Sequence, residues 1–496
     1  APGQPAPTAT LAPPADAAEA RTRALNVFFD KPADEHKLRD GTNEDGAVQQ
    51  EARTFAPDGP SDLEAVRQQH ANEGLVNDKL ANMSDFDRKL YRELEGSVAN
   101  DPKGQLALQT MLLDGRLTDM SQASSTGKSL MLSLSEAAHA PMDEKPGLNR
   151  EQLMGQLMRE CAFPGTIQQG SANTCTVTSV QLTMASKQPA EYVRIVSGLA
   201  KPPDPKTHKY PEITLADGKT KISRCPDSEK PDGGKTPRST SSKLFESSMM
   251  QLAAKSMEQD LATGDAKLKR DLIYDPNANN GEGEIRDSQH RNINQDGDKS
   301  LTSGINSYYT GVVAQAATGH QIRQVDQRDT AKDLANEIDD KKTAKVFMKM
   351  GNFQPDGTTP GGSLCDVTAL PNGKYRVKPP FGEPTDITRA ELERRVESVQ
   401  GSTKPSISQS RENQLKLIQT EANAGHLPSV ALARGKFEPN GTFPEGGHQV
   451  VVKGYDPAKR EYTILNPHGD EEKLTAAQFE ARMRAVVYDT GAPVAK

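Results

Sequence analysis

Residues 169–184 read QGSANTCTVTSVQLTM, a polar loop that runs straight into an apolar periodicity. Val177, Val180 and Met184 recur at helical spacing, which predicts a helix whose first turn carries Cys175. The dipole and the unpaired N–H groups of a helix N-terminus favour a thiolate, and such placement can lower a cysteine pKa from about 8.5 to roughly 3.5–7.5. Cys175 is therefore a candidate nucleophile, with a small buried core residue as the alternative.

Gln169 precedes Cys175 on the same loop. A side-chain N–H placed beside a thiol can donate to the oxyanion that develops when the thiolate attacks a carbonyl. Gln169 is therefore the candidate oxyanion donor.

Two C-terminal segments of the chain match each other. Residues 351–363 read GNFQPDGTTPGGS and residues 435–448 read GKFEPNGTFPEGGH, while KYRVKPPFG at 374–382 aligns with EYTILNPHG at 461–469. Each copy shows the same order of helix, strand, Gly/Pro loop, two further strands and closing helix. The sequence therefore predicts a duplicated β-rich unit.

The two copies differ where protons can be handled. The second copy has His448 and Asn466 where the first has Ser363 and Pro379. His448 starts one strand of a predicted hairpin and Asn466 ends the next, so the hairpin brings them side by side and the amide can fix the imidazole tautomer. This pattern is typical of a functional copy beside a silent one.

Composition limits the class of protein. A chain of 496 residues with 34% hydrophobic residues and no tryptophan has room for about three domains and contains much loop. The net charge of −7 and the lack of a basic arm argue against a nucleic-acid partner. No long apolar run is present, so no membrane span is expected. The chain opens in a Pro/Ala run without Met, which leaves the compartment open with export slightly favoured.

Cysteine and metal patterns are weaker signals. Four cysteines in so long a chain do not form a disulfide scaffold, and Cys161, Cys225 and Cys365 are either free thiols or include one pair. Ser303 stands where an EF-hand calcium loop has its bidentate Glu, so a plain loop is preferred over calcium and no cofactor is expected. The calcium candidates in that acidic stretch are Asn292, Asn294, Asp296 and Asp298.

These patterns divide the chain into five regions. They are a disordered or flexible lead-in (1–60), a helical N-terminal region (61–148), a helical lobe with the nucleophile (149–330), the degenerate β-unit (331–410) and the β-unit with His448 and Asn466 (411–496). Region 61–148 is a pro-segment, a partner-binding module or a packed helical layer. The Pro/Lys/Gly/Ser-rich stretch 201–242 is predicted to be a surface insertion with a hairpin turn at Asp217-Gly218.

The order Gln169, Cys175, His448, Asn466 resembles that of the papain-like cysteine peptidase superfamily. The loop 169–175 is similar to its oxyanion glutamine and nucleophile, Asn466-Pro467-His468-Gly469 is similar to the Asn-Pro-Trp-Gly of the calpain branch, and residues 447–456 resemble bacterial members. His468 replaces the Trp, so the shielding of the Asn–His bond by an indole is expected to be missing. The 273 residues from 175 to 448 exceed the roughly 130–150 typical of papain, an excess that insertions can absorb.

The resemblance implies an α+β fold of two lobes, a helical lobe with the cysteine and an antiparallel β lobe with His448 and Asn466. It also implies a cysteine peptidase that acts on a protein or peptide substrate. Two alternatives stay open: a Cys-dependent deamidase or transglutaminase-type acyl transferase such as a toxin or effector, and a non-catalytic interaction protein. Cleavage specificity and oligomeric state are left open.

Overall fold

A computed structural model describes residues 12–28, 62–143, 148–226, 228, 238–264, 272–278, 283–287, 305, 307–349, 362–433 and 447–494. These residues form a mixed α+β protein with antiparallel sheets, as the sequence predicts at the level of fold class. The four calcium candidates (Asn292, Asn294, Asp296 and Asp298) lie outside the described residues.

Helices dominate the first two thirds of the chain. Short 3₁₀ turns lie at Arg116–Thr118, Met120–Gln122 and Pro164–Thr166. The α-helices of the described part are α1 (Ala17–Phe28), α2 (Asp62–Ala81), α3 (Asp85–Ser97), α4 (Pro102–Leu113), α5 (Leu130–His139), α6 (Arg150–Ala162), α7 (Cys175–Lys187), α8 (Pro189–Leu199), α9 (Thr240–Gly264), α10 (Ser307–Thr318), α11 (Gln327–Lys341), α12 (Arg389–Arg395), α13 (Ile407–Asn423) and α14 (Ala476–Arg482).

The strands gather towards the C-terminus. They are β1 (Ile213–Thr214), β2 (Lys221–Ile222), β3 (Leu272–Asp275), β4 (Glu284–Asp287), β5 (His320–Asp326), β6 (Thr343–Lys349), β7 (Gly362–Ala369), β8 (Tyr375–Lys378), β9 (Thr385–Ile387), β10 (Val396–Val399), β11 (Ser429–Ala433), β12 (Gly447–Asp456), β13 (Glu461–Asn466), β14 (Asp470–Thr475) and β15 (Met483–Pro493).

The N-terminal helices share one hydrophobic core with the helix that begins at Cys175. Leu106 of α4, Leu134 of α5, Leu157 of α6 and Val177 of α7 are each fully buried in the same cluster. Because a core of this kind stabilises every element that lines it, the helices of region 62–139 are packed together with α7.

The stretch 201–242 differs from the predicted surface insertion, because part of it belongs to this core. The hairpin β1–β2 forms with Gly218 in its turn at a φ of 75°. Ile213 and Cys225 are buried members of the same cluster, and the Arg224 guanidinium forms a buried ion pair with Asp143 at 2.9 Å. The polar composition of the stretch conceals these anchors, since several of its buried residues, such as Asp217 and Arg224, are themselves polar.

The two copies of the β-unit fold alike. The first β-unit (residues 327–399) has the sheet order β10-β6-β7-β8-β9, and the second β-unit (residues 407–493) has the order β15-β11-β12-β13-β14, with β5 added beyond β15. In the first unit Ser363 pairs with Met348, and in the second His448 pairs with Leu432. Ser363 and His448 therefore occupy the same place in their sheets.

Each unit has more strands than the sequence predicts. The additional strands are β9 and β10 in the first unit, and their equivalents β14 and β15 in the second. In each unit they flank the closing helix, α12 or α14. Both helices begin with a capping box, at Thr388 and Thr475, and both are followed by a bulge in the last strand. The short length of β9 and the charged sequence of β14 conceal them from an alternation pattern.

No helix in the described part of the chain is long and apolar enough to cross a membrane.

Candidate functional site

Cys175 is the first residue of α7, as the apolar periodicity predicts. It is half-buried, whereas Cys161, Cys225 and Cys365 are buried, and all four are free thiols. Burial raises the pKa of Cys161, and burial together with the charge of Asp366 raises the pKa of Cys365. Since the thiolate is the reactive form of cysteine, position and exposure both single out Cys175.

His448 and Asn466 are joined by a hydrogen bond of 2.7 Å between Nε2 of the ring and Oδ1 of the amide. Two further contacts fix which way the amide points. The backbone N–H of His468 donates to Oδ1 at 3.2 Å, and Nδ2 donates to Oε1 of Glu472 at 2.7 Å. Because Oδ1 only accepts, Nε2 of His448 is the protonated nitrogen in the neutral ring, which leaves Nδ1 as the proton acceptor.

Glu472 is a site residue that the sequence reasoning missed. It lies on β14 opposite Ile464, is 8% exposed, and receives the Asn466 amide. The equivalent position in the first β-unit is Thr385, which faces Val377 in the same register. A comparison of the two copies beyond residue 469 would have found this difference, the third after His448 and Asn466.

His468 lies over the imidazole of His448, with ring centroids 4.8 Å apart and an interplanar angle of 20°. This stacking bears on the expectation that the shielding of the Asn–His bond by an indole is missing. No indole is present, but a flat aromatic ring covers His448 from the position where the resemblance has its Trp. An imidazole was not recognised as a shield because it is usually considered for its proton chemistry.

The loop 169–175 contacts the segment that follows Asn466. The backbone N–H of Gln169 donates to the carbonyl of Pro467 at 2.7 Å. Gly469 has a φ of +92°, and a Cβ there would collide with the side chain of Gln168. The two loops are thus packed closely enough to keep the 169–175 stretch beside the His448 end of the sheet.

The side chain of Gln169 is 2% exposed, and its Nε2 donates to the carbonyl of Ala172 at 2.6 Å. A carbonyl only accepts, so this contact identifies the nitrogen of the amide. One N–H of the Gln169 amide therefore holds the loop in shape.

A line of buried polar contacts connects α7 to the sheet. Ser179, one turn after Cys175, receives a hydrogen bond of 3.0 Å from Ser429 of β11. Ser429 in turn receives one of 2.8 Å from Gln449, the neighbour of His448. Val451 and Leu465 on the same sheet face belong to the helical core. The sheet face that carries Gln449 and Val451 is therefore packed directly against the helix that Cys175 begins.

A buried carboxylate lies beneath the first turn of α7. The Thr174 hydroxyl donates to Oε2 of Glu246 at 2.7 Å, and Thr178 Oγ1 lies 2.9 Å from Oε1. Glu246 is fully buried on α9 and pairs with Arg238 at 3.2 Å. Burial raises the pKa of Glu246 to about 7, against the lowering effect of the Arg238 charge and the two threonine hydroxyls. A Glu within a helix whose neighbours are Ser, Phe and Met gives no signal of this role in the sequence.

Among the described residues, no group of three or more His, Cys, Asp or Glu side chains is arranged to hold a metal ion.

No family model matches the sequence, no curated protein matches it significantly, and no solved structure shows a significant match to its fold.

Proposed function

We propose that the chain is a cysteine peptidase of the papain-like kind, in which the helical region and the second β-unit are the two lobes. The observation that carries the proposal is the fixed amide of Asn466, which makes Nδ1 of His448 the proton acceptor. Thiol activation requires a base close to the cysteine. Here the imidazole has one tautomer and lies at the end of a sheet that packs on the helix that begins at Cys175.

In the proposed reaction, His448 takes the Cys175 proton on Nδ1 and the thiolate attacks the peptide carbonyl. The resulting oxyanion is bound by the second N–H of the Gln169 amide and the backbone N–H of Cys175, which lies at the helix tip. The imidazolium returns its proton to the leaving amine, and an acyl-enzyme forms. Water, deprotonated by His448, then releases the acid and regenerates the thiol.

The packing described above supports a division of roles. Asn466 and Glu472 hold the imidazole, His468 covers it, and the Gln169–Pro467 contact holds the nucleophile loop against the same segment. The imidazole of His448 is thereby held by a chain of side chains from the two neighbouring strands, β13 and β14.

The direct test is incubation of the full chain with an epoxide-type thiol inhibitor followed by mass spectrometry of its peptides. We expect one modified cysteine, Cys175, and loss of peptide hydrolysis in the modified protein. Cys175→Ala should be inactive and unmodified, and Gln169→Ala should lose about 10²–10³-fold in kcat/KM. Gln168→Ala is the matched neighbour and should change the rate far less.

Two outcomes would redirect the proposal. Release of ammonia from glutamine side chains without new peptide termini would assign the same residues to a deamidase or a transglutaminase. Failure of Cys175 to react with small thiol reagents over the neutral pH range would leave a non-catalytic interaction protein.

A further inference from the structure

We propose that Glu246 is a positioning residue for the nucleophile, whose neutral form completes the hydrogen bonds under the first turn of α7 and whose ionised form opposes a thiolate at Cys175. This inference rests on the proposed role of Cys175, but its test needs no substrate.

The proton count at Thr178 carries the inference. Its Oγ1 lies 2.9 Å from the carbonyl of Thr174 and also 2.9 Å from Oε1 of Glu246. A hydroxyl has one proton, so it cannot donate to a carbonyl and a carboxylate together. Both contacts are satisfied when Glu246 is protonated on Oε1 and donates to Thr178, which then donates to Thr174.

The other carboxyl oxygen is compatible with either state. Oε2 accepts from the Thr174 hydroxyl at 2.7 Å and from Arg238 at 3.2 Å whether or not Oε1 carries a proton. Thr174 is the N-cap residue of α7 but makes no side-chain cap to the helix, because its hydroxyl is used on Glu246. Glu246 thus holds the residue immediately before Cys175.

Ionisation changes both geometry and charge at this point. The carboxylate takes the Thr178 hydroxyl away from the Thr174 carbonyl, and it places a negative charge in a buried site beneath the helix tip. A like charge nearby disfavours a second anion and therefore raises the pKa of the thiol. The pKa of Glu246, raised by burial to about 7, puts this change in the neutral range.

The other charged groups on elements that pack against α9 have partners of their own. Glu160 of α6 accepts hydrogen bonds from Tyr192, Ser239 and Ser241, and burial raises its pKa as well. Further pairs on these elements are Arg159 of α6 with Asp101, Glu191 with Arg194 on α8, Lys221 of β2 with Glu212, and Asp275 of β3 with Arg286. Lys243 lies on α9 itself. Glu246 and Arg238 are therefore the charged groups seen in contact with the Thr174–Thr178 turn.

The test is the rate of Cys175 alkylation by iodoacetamide as a function of pH, followed by mass spectrometry. Glu246→Gln preserves the shape and neutrality of the protonated acid, and we expect it to move the midpoint of the profile down by about one pH unit. Glu258→Gln, a glutamate of the same helix that contacts the backbone N–H of Leu272 and not the Thr174–Thr178 turn, should leave the midpoint near that of the wild type. A Glu246→Gln profile that superimposes on the wild type would overturn the inference.

Two measurements keep the inference testable in other ways. The raised pKa means that Glu246 stabilises the fold below about pH 4.5 and that this stability is lost as pH rises through 7, so Glu246→Gln should remove that decline in the free energy of unfolding. If Glu246→Gln does not fold, carbon-13 labelling of the glutamate carboxyls in the wild type replaces it. A carboxyl resonance that titrates near neutrality and responds to alkylation of Cys175 supports the inference. The absence of such a resonance contradicts it. Absence of peptidase activity alone would affect the proposed function and leave these readouts unchanged.

Discussion

In each β-unit, one face of the sheet covers the unit's own hydrophobic core. The two units differ in what covers the other face. In the second unit this face packs on α7, with Val451 and Leu465 buried in the helical core. In the first unit the equivalent face carries Phe347 and Leu364, which pair across β6 and β7 and remain 39% and 41% exposed. One scaffold therefore serves twice, and only the copy that contacts the cysteine-bearing helix has the polar set His448, Asn466 and Glu472.

The largest effect should separate His448 from its counterpart Ser363. His448→Ala removes the proposed base and should reduce kcat/KM for a peptide substrate by about 10²–10⁴-fold. Ser363→Ala lies at the same register position in the first unit and should leave the rate unchanged. An inactive Ser363→Ala variant together with an active His448→Ala variant would mean that the first β-unit, and not the second, is the functional copy.

Glu472 and Thr385 form the next pair. Glu472→Gln weakens a charge-assisted hydrogen bond to Asn466, a loss of about 1.5–3 kcal/mol that corresponds to roughly 10–100-fold in kcat/KM. The effect should appear in kcat rather than KM, because the residue orients a group that reacts. Thr385→Ala serves as the control, and equal losses in both variants would mean a general effect on folding.

Gly469 and Gly382 test the packing of the loop behind the site. Both have positive φ, at 92° and 113°, so alanine is strained in either place by about 1–2 kcal/mol. A Cβ at Gly469 also meets the side chain of Gln168, whereas at Gly382 it meets only Pro379 Cγ at 3.7 Å. Chemical denaturation should therefore show a larger loss of unfolding free energy for Gly469→Ala, and equal losses would argue against close loop packing.

The smallest effect is expected for the aromatic pair His468 and Phe381. His468→Ala removes a ring stacked on His448, a contact worth about 0.5–1.5 kcal/mol, and should lower kcat/KM several-fold. His468→Phe should restore most of the rate. Phe381 is 94% exposed, so Phe381→Ala should have no effect on the rate.

Much of the β-unit was readable from the sequence because duplication supplies an internal comparison. Matching residues such as Tyr375 and Tyr462 lie at equivalent positions in β8 and β13, and the differences at 448 and 466 point to the residues that meet in a hydrogen bond. The start of α7 could also be predicted from the sequence, since Val177 and Val180 recur at helical spacing.

The remaining site residues depend on contacts between distant segments. Glu472 meets Asn466 only because β14 pairs with β13, and Glu246 meets Thr174 only because α9 packs under α7. Ser179, Ser429 and Gln449 are small or neutral residues that become a linked set only in the fold. Periodicity and motif spacing describe neighbours along the chain, so they do not report such pairings.

The hydrophobic core of the first β-unit is separate from the core of the helical region. Val346, Cys365 and Leu392 belong to a cluster separate from the one that joins Val177 to Val451. Transient opening of this unit, or its cleavage by a protease, would leave the apolar surfaces around Cys175 covered. Substitutions on the exposed face of that unit, or replacement of the whole unit, are therefore expected to leave the packing around Cys175 undisturbed.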